Sequence, residues 1–182
     1  VFPEDRDIGN RYHVRVASLV LGASRGAARE RQAVVARIRA LAPPMMAQLG
    51  PSGTHERDAT ESFAFTALDQ PEACEDLLYK ASADGNFLGG CRFLHARRLQ
   101  VDGRFAEAAE QYRQALKQIV WARIVFAPYV PAALFGRAES LDRSGDHAGA
   151  ALVWHLLRDN YGHADIDVPE VGKAFERLKA GM

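Results

Sequence analysis

GGCRFLHARRLQVDGRFAEAAEQYRQALKQ, starting at Gly89, and PAALFGRAESLDRSGDHAGAALVWHLLRDNYG, starting at Pro131, fit one template when aligned on Gly103 and Gly145. Seven residues before each glycine stands a small side chain, Ala96 or Ala138. Five after comes Ala108 or Ala150, nine after a ring, Tyr112 or Trp154, and twelve after Ala115 or Leu157. Self-similarity of this kind marks stacked helical hairpins. Phe105, Ala108, Tyr112, Ala115 and Ile119 step by three and four, which is the core-facing stripe of a helix. Small residues on facing helices let their axes approach closely.

The two glycines lie 42 positions apart (145 − 103), against about 34 in the usual repeat of this type. The excess falls in WARIVFAP, Trp121 to Pro128, read as a lengthening of the helix before it. After Gly162, Asp167 and Glu170 have capping-box spacing with Pro169 in the first turn. Val171, Phe175 and Leu178 then make one face of a closing helix, with Lys173, Glu176 and Lys179 on the other.

Upstream the punctuation differs. Residues 1–10 read as a polar arm, with Pro3 and Gly9. A first helical pair follows from Tyr12, with Ser24 placed to cap its second helix and Pro43-Pro44 to end it. Asp58 with Glu61, and Asp69 with Glu72, have capping-box spacing and open the helices of a second pair, which carries no clear repeat signature. No stretch shows the strict alternation of a strand. The expected fold is all-α, with antiparallel hairpins stacked as a short superhelix under a C-terminal capping helix. Residues 11–88 form a helical N-terminal half, and 89–182 the two hairpins plus cap, all in one continuous core.

Composition narrows the function classes. The chain has 182 residues, 48% hydrophobic and 25% charged, with 23 basic and 23 acidic residues. That balance argues against a general nucleic-acid role, which needs a basic excess. The basic run Arg25, Arg29, Arg31, Arg37 and Arg39 has the spacing of a wet helix face. No apolar run reaches the roughly 20 residues of a membrane span. The start at Val1 is what removal of a leader or a trimmed boundary leaves. Cys74 and Cys91 fit no zinc or redox pattern. Two buried thiols are favoured over a disulfide, which an oxidising compartment would allow.

Chemistry-bearing motifs are sparse. His155, His163, Asp165 and Asp167 have metal-ligand side chains at spacings that match no compact zinc pattern, so no metal and no cofactor is expected. Glu139 and Asp142, three apart on a helix, read as exposed acids rather than a catalytic pair. LGASRG, Leu21 to Gly26, lacks the lysine of a phosphate loop, and no Gly-x-Ser-x-Gly elbow is present. The aromatic segment with Trp121, Phe126 and Tyr129 reads as buried, with an exposed docking patch for a partner or a second copy as the alternative.

The segment from Gly89 to Gly162 resembles the tetratricopeptide repeat family. APYVPAALFGRAESLDRSGDHAGAALVWHLLRDNYG is similar to repeats of bacterial cell-envelope members, with Gly162 where those hairpins end in Tyr-Pro. The resemblance implies a concave groove lined by first helices that holds a segment of another protein. Position by position, the groove side chains would be Phe93, Arg97 and Gln100, then Phe135, Glu139 and Asp142. The lysine and asparagine of the family's carboxylate clamp are not there, which points to a partner with apolar anchors and mixed charge. The expected function is a non-enzymatic scaffold or adaptor in a bacterial assembly, with the periplasm or cell envelope favoured over the cytoplasm. The alternatives are a structural subunit whose own N-terminal half fills the groove, and a helical enzyme or small-ligand protein with a pocket between its halves.

Overall fold

The computed structural model of the chain describes residues 3–50, 53–80, 88–117, 129–163 and 169–180. Its described elements are helices: α1 (Pro3–Ala23), α2 (Ala28–Leu49), α3 (Gly53–Ala67), α4 (Pro71–Lys80), α5 (Gly89–Val101), α6 (Phe105–Leu116), α7 (Val130–Ser144), α8 (His147–Tyr161) and α9 (Pro169–Ala180). The fold is all-α, as the periodicity requires, with no strand among the described residues. The chain divides into two compact units, Val1–Leu94 and His95–Met182.

In the first unit α1, α2 and α3 pack on one another, and α4 packs on α3. Val16, Ile38, Phe65 and Leu68 are among its fully buried side chains. Three local readings need correction. The segment 3–10, read as an arm, is the opening of α1, with Pro3 at the first position, where a missing N–H costs nothing. Ser24 does not cap α2; its hydroxyl donates to the Leu21 carbonyl, while the Ala27 N–H is capped by the Glu30 carboxylate. Pro43 and Pro44 do not end α2, which runs on to Leu49. Val34, Val35, Ile38, Ala42 and Met45 form one buried stripe across the prolines. Each large aliphatic side chain on it gains roughly 1.5–3 kcal/mol from burial, enough to offset the missing backbone hydrogen bonds.

The second unit packs α6 on α7, α7 on α8, and α9 on α8 with lesser contact to α7. Its core gathers Leu134, Ala138, Ala150, Trp154, Leu157 and Ala174. On α9 the buried residues are Val171 and Ala174, and Phe175 of the expected face is 37% exposed.

Both turn glycines close their hairpins in the same way. Gly103 (φ 76°) donates to the Gln100 carbonyl and Arg104 to that of Leu99. Gly145 (φ 92°) donates to Asp142 and Asp146 to Leu141. This paired closure, with a left-handed residue after the helix, satisfies the last carbonyls of the first helix. The turn between α3 and α4 repeats it with Asp69 (φ 51°) in the glycine's place: Asp69 donates to Thr66 and Gln70 to Phe65. Asp69 precedes Gly103 by 34 residues (103 − 69). Seven before it lies Ser62 and five after it Cys74, both as fully buried as Ala96, Ala138, Ala108 and Ala150 at the matching positions. The register of the two recognised hairpins therefore extends to a third, α3–α4.

Asp58 and Glu61, expected at a helix start, sit inside α3 and are buried. Cys74 and Cys91 form a disulfide between α4 and α5, with Cα atoms 4.7 Å apart. That replaces the favoured reading of two thiols. Both side chains are fully buried, and the packing of their helices brings them within disulfide reach.

Candidate functional site

The residues expected to line a groove divide between the units. Phe93 belongs to the first and is buried there. Arg97, Gln100, Phe135, Glu139 and Asp142 belong to the second.

Tyr112 on α6 organises the second group. Its ring is almost wholly buried and its hydroxyl donates to Gln100 Oε1 at 2.7 Å. Gln100 Nε2 in turn donates to the Gly136 carbonyl at 3.1 Å and to Ser140 Oγ at 2.9 Å. One amide thus joins α5, α6 and α7. Gly136 makes the approach feasible, because a Cβ there would overlap the Tyr112 ring. Burial raises the Tyr112 phenol above its ordinary pKa; Arg97 lowers it and Glu139 raises it further. The charges of Arg97 and Glu139 thus both act on this hydroxyl, with opposite sign. Arg97 is exposed and Glu139 half-buried.

Phe135 packs edge-on against Trp154, with ring centroids 5.1 Å apart. Lys173 Nζ of the closing helix lies 5.3 Å from its centroid. Asp142 accepts from the indole N–H of Trp154 at 3.1 Å, so this carboxylate holds the core ring in place. Gln100, Phe135 and Asp142 are thus engaged within the unit. Position in a repeat says which helix face a residue occupies, not whether another helix has claimed it. The link from Tyr112 through Gln100 to Ser140 escaped the sequence, where only Gly136 opposite a ring hinted at it.

Of the aromatic patch, Trp121 and Phe126 lie outside the described residues, while Tyr129 is half-buried at the N-terminus of α7. Asp165 and Asp167 also lie outside them, and His155 and His163 are exposed. Among the described residues no group of three or more His, Cys, Asp or Glu is placed to hold a metal. No described helix is long and apolar enough to cross a membrane.

A second polar group occupies the first unit. His13 Nε2 lies 2.8 Å from Glu56 Oε1, and its Nδ1 lies 2.5 Å from Thr60 Oγ1. Thr60 also reaches the Glu56 carbonyl. The hydrogen bond from His13 pulls the Glu56 carboxyl below its ordinary pKa. This chain has the order of a hydroxyl–imidazole–carboxylate relay, but Thr60 is only 4% exposed. It ties α1 to α3.

No protein-family model matches the chain, and neither does any curated protein or solved structure.

Proposed function

We propose that the chain is a non-enzymatic scaffold of tetratricopeptide-like hairpins that holds a segment of another protein. The observation that carries this reading is the glycine closure shared by the α5–α6 and α7–α8 hairpins, with the Gln100 amide joining α5, α6 and α7 and the charges of Arg97 and Glu139 both acting on the Tyr112 hydroxyl. A cation on α5 and an acid on α7 favour a partner segment of mixed charge, which electrostatic complementarity would orient. The 34-residue step from Asp69 to Gly103 supports the repeat reading, since it equals the usual period of about 34. The Cys74–Cys91 bond supports an oxidising compartment, and with it a place in a cell-envelope assembly.

The test is affinity purification from the cell of origin with the native chain and with Arg97→Glu/Glu139→Lys. Circular dichroism confirms that both are equally helical. A partner retained by the native chain should fall at least about tenfold with the double reversal, one decade for roughly 1.4 kcal/mol. Undiminished recovery of every partner sinks the assignment.

A further inference from the structure

The second unit carries an open cleft of about 410 Å³ on a part of α7 that the proposed partner face does not use. Its walls are Leu116 of α6, Val130 and Leu134 of α7, and Leu156 of α8. Arg137 stands among them, two residues along from Phe135 and Glu139 and so turned about 200° from each around the helix. The cleft volume falls within the roughly 300–1,000 Å³ of small-molecule sites. Leu152, 73% exposed, continues the apolar surface one turn along α8 from Leu156, itself 47% exposed.

The polar lining is small and one-sided. Arg137 Nε is buried and has no hydrogen-bond partner among the described residues. Such an N–H normally finds an acceptor, because leaving it dry forfeits its hydration. Burial also pulls the guanidinium below its ordinary pKa, with Arg113 adding to that and Glu110 and Asp146 opposing it; an arginine remains cationic at neutral pH all the same. Glu110 is already held by Arg113 in a two-pronged pair. Burial likewise raises the pKa of Tyr161, also in the lining. Asn160 completes the rim and donates to the Leu156 carbonyl.

We infer that this cleft binds a small amphiphilic monocarboxylate, its head on Arg137 and its aliphatic tail along Leu134, Leu156 and Leu152. One half-buried guanidinium balances a single negative charge, as a carboxylate carries, better than the nearly two of a phosphate monoester. The aliphatic side of the cleft, Leu116, Val130, Leu134 and Leu156, favours an alkyl chain over a polar peptide backbone, whose amides would be left without partners there. The site is independent of the partner-binding reading, since neither Arg97 nor Glu139 lines it.

Titration calorimetry with decanoate, below its micelle concentration, tests the assignment, with decylammonium as the oppositely charged control. One decanoate should bind per chain, at least about tenfold tighter than decylammonium. Arg137→Gln should weaken decanoate by about tenfold, the loss expected for one charge-assisted hydrogen bond. Leu156→Glu, at a half-exposed position that does not threaten folding, should abolish binding through charge repulsion. Amide shifts of the native chain should concentrate around Leu134, Leu156 and Tyr161. Equal binding of the two amphiphiles, or unchanged affinity in either variant, overturns the proposal. So does a peptide with an apolar C-terminal residue that binds as tightly as decanoate.

Discussion

Gly136 on α7 lies against the ring of Tyr112 on α6 so closely that a methyl group in place of its hydrogen would overlap that ring. The contact lets the Gln100 amide reach from Tyr112 to the Gly136 carbonyl and Ser140. Gly136→Ala should therefore destabilise the second unit. Overpacking costs about 1–3 kcal/mol, against about 1 kcal/mol gained from alanine's helix propensity. Urea unfolding should show a lower midpoint. In a Tyr112→Leu background the same alanine should raise it, because the clash is gone.

The three left-handed positions make a second prediction. Neither Gly103 nor Gly145 has an atom within 4 Å of an added Cβ, so sterics with neighbours do not require them. Their φ values of 76° and 92° do. Gly103→Ala and Gly145→Ala should each cost roughly 1–2 kcal/mol from backbone conformation alone. Asn at either position should cost less than Ala, since its short polar side chain tolerates that region. Thermal melts of the four variants give the ranking, and equal melting of Ala and Asn would contradict it.

The disulfide closes a separation of 17 residues, for which loop-closure entropy predicts about 3 kcal/mol. Replacing Cys74 and Cys91 together by Ala should lower the stability of the first unit by about that amount. Both cysteines are fully buried, so labelling is read in denaturant: because the sulfurs are bonded to each other, a maleimide reagent should label neither in the denatured, unreduced protein and both after reduction. Two labels without reductant would show that the bond is absent.

Glu61 makes the stability depend on pH in a definite direction. It is buried on α3, and desolvation raises its carboxyl above the ordinary value of 4.5; Arg57 is the largest opposing influence. A raised folded pKa means that the folded state keeps its proton while the unfolded chain has lost it. Stability is then full below 4.5 and declines as pH rises from there through the folded value. Glu61→Gln removes the decline. Its melting temperature should match the native protein near pH 4 (about where an unperturbed glutamate titrates) and exceed it at neutral pH. A constant difference across that range would rule out titration of Glu61 as the cause.

Much of the fold was legible because it rests on local rules. The stripe through Ala108, Tyr112 and Ala115 depends on helical spacing, and all three are buried. The small residues at Ala96 and Ala138 likewise mark where helices meet, and neither has exposed surface. The α3–α4 hairpin was harder to read, since Asp69 takes the left-handed position that glycine signals elsewhere. The candidate site was legible only as a set of helix faces. Gln100, Phe135 and Asp142 share the face with Arg97 and Glu139, yet a hydroxyl, an indole ring and an indole N–H claim them from within.

The helical stripes, the two glycine turns and the small-residue register are written in the chain itself, because spacing and φ preference act over a few neighbouring residues. Helix packing, by contrast, places Pro43 and Pro44 within a helix, joins the cysteines, and leaves Arg137 Nε without an acceptor among the described residues in a largely apolar cleft. Each of these depends on what another helix places opposite: a buried stripe, a second sulfur, or no hydrogen-bond acceptor. Spacing along one chain segment holds no information about that opposing surface.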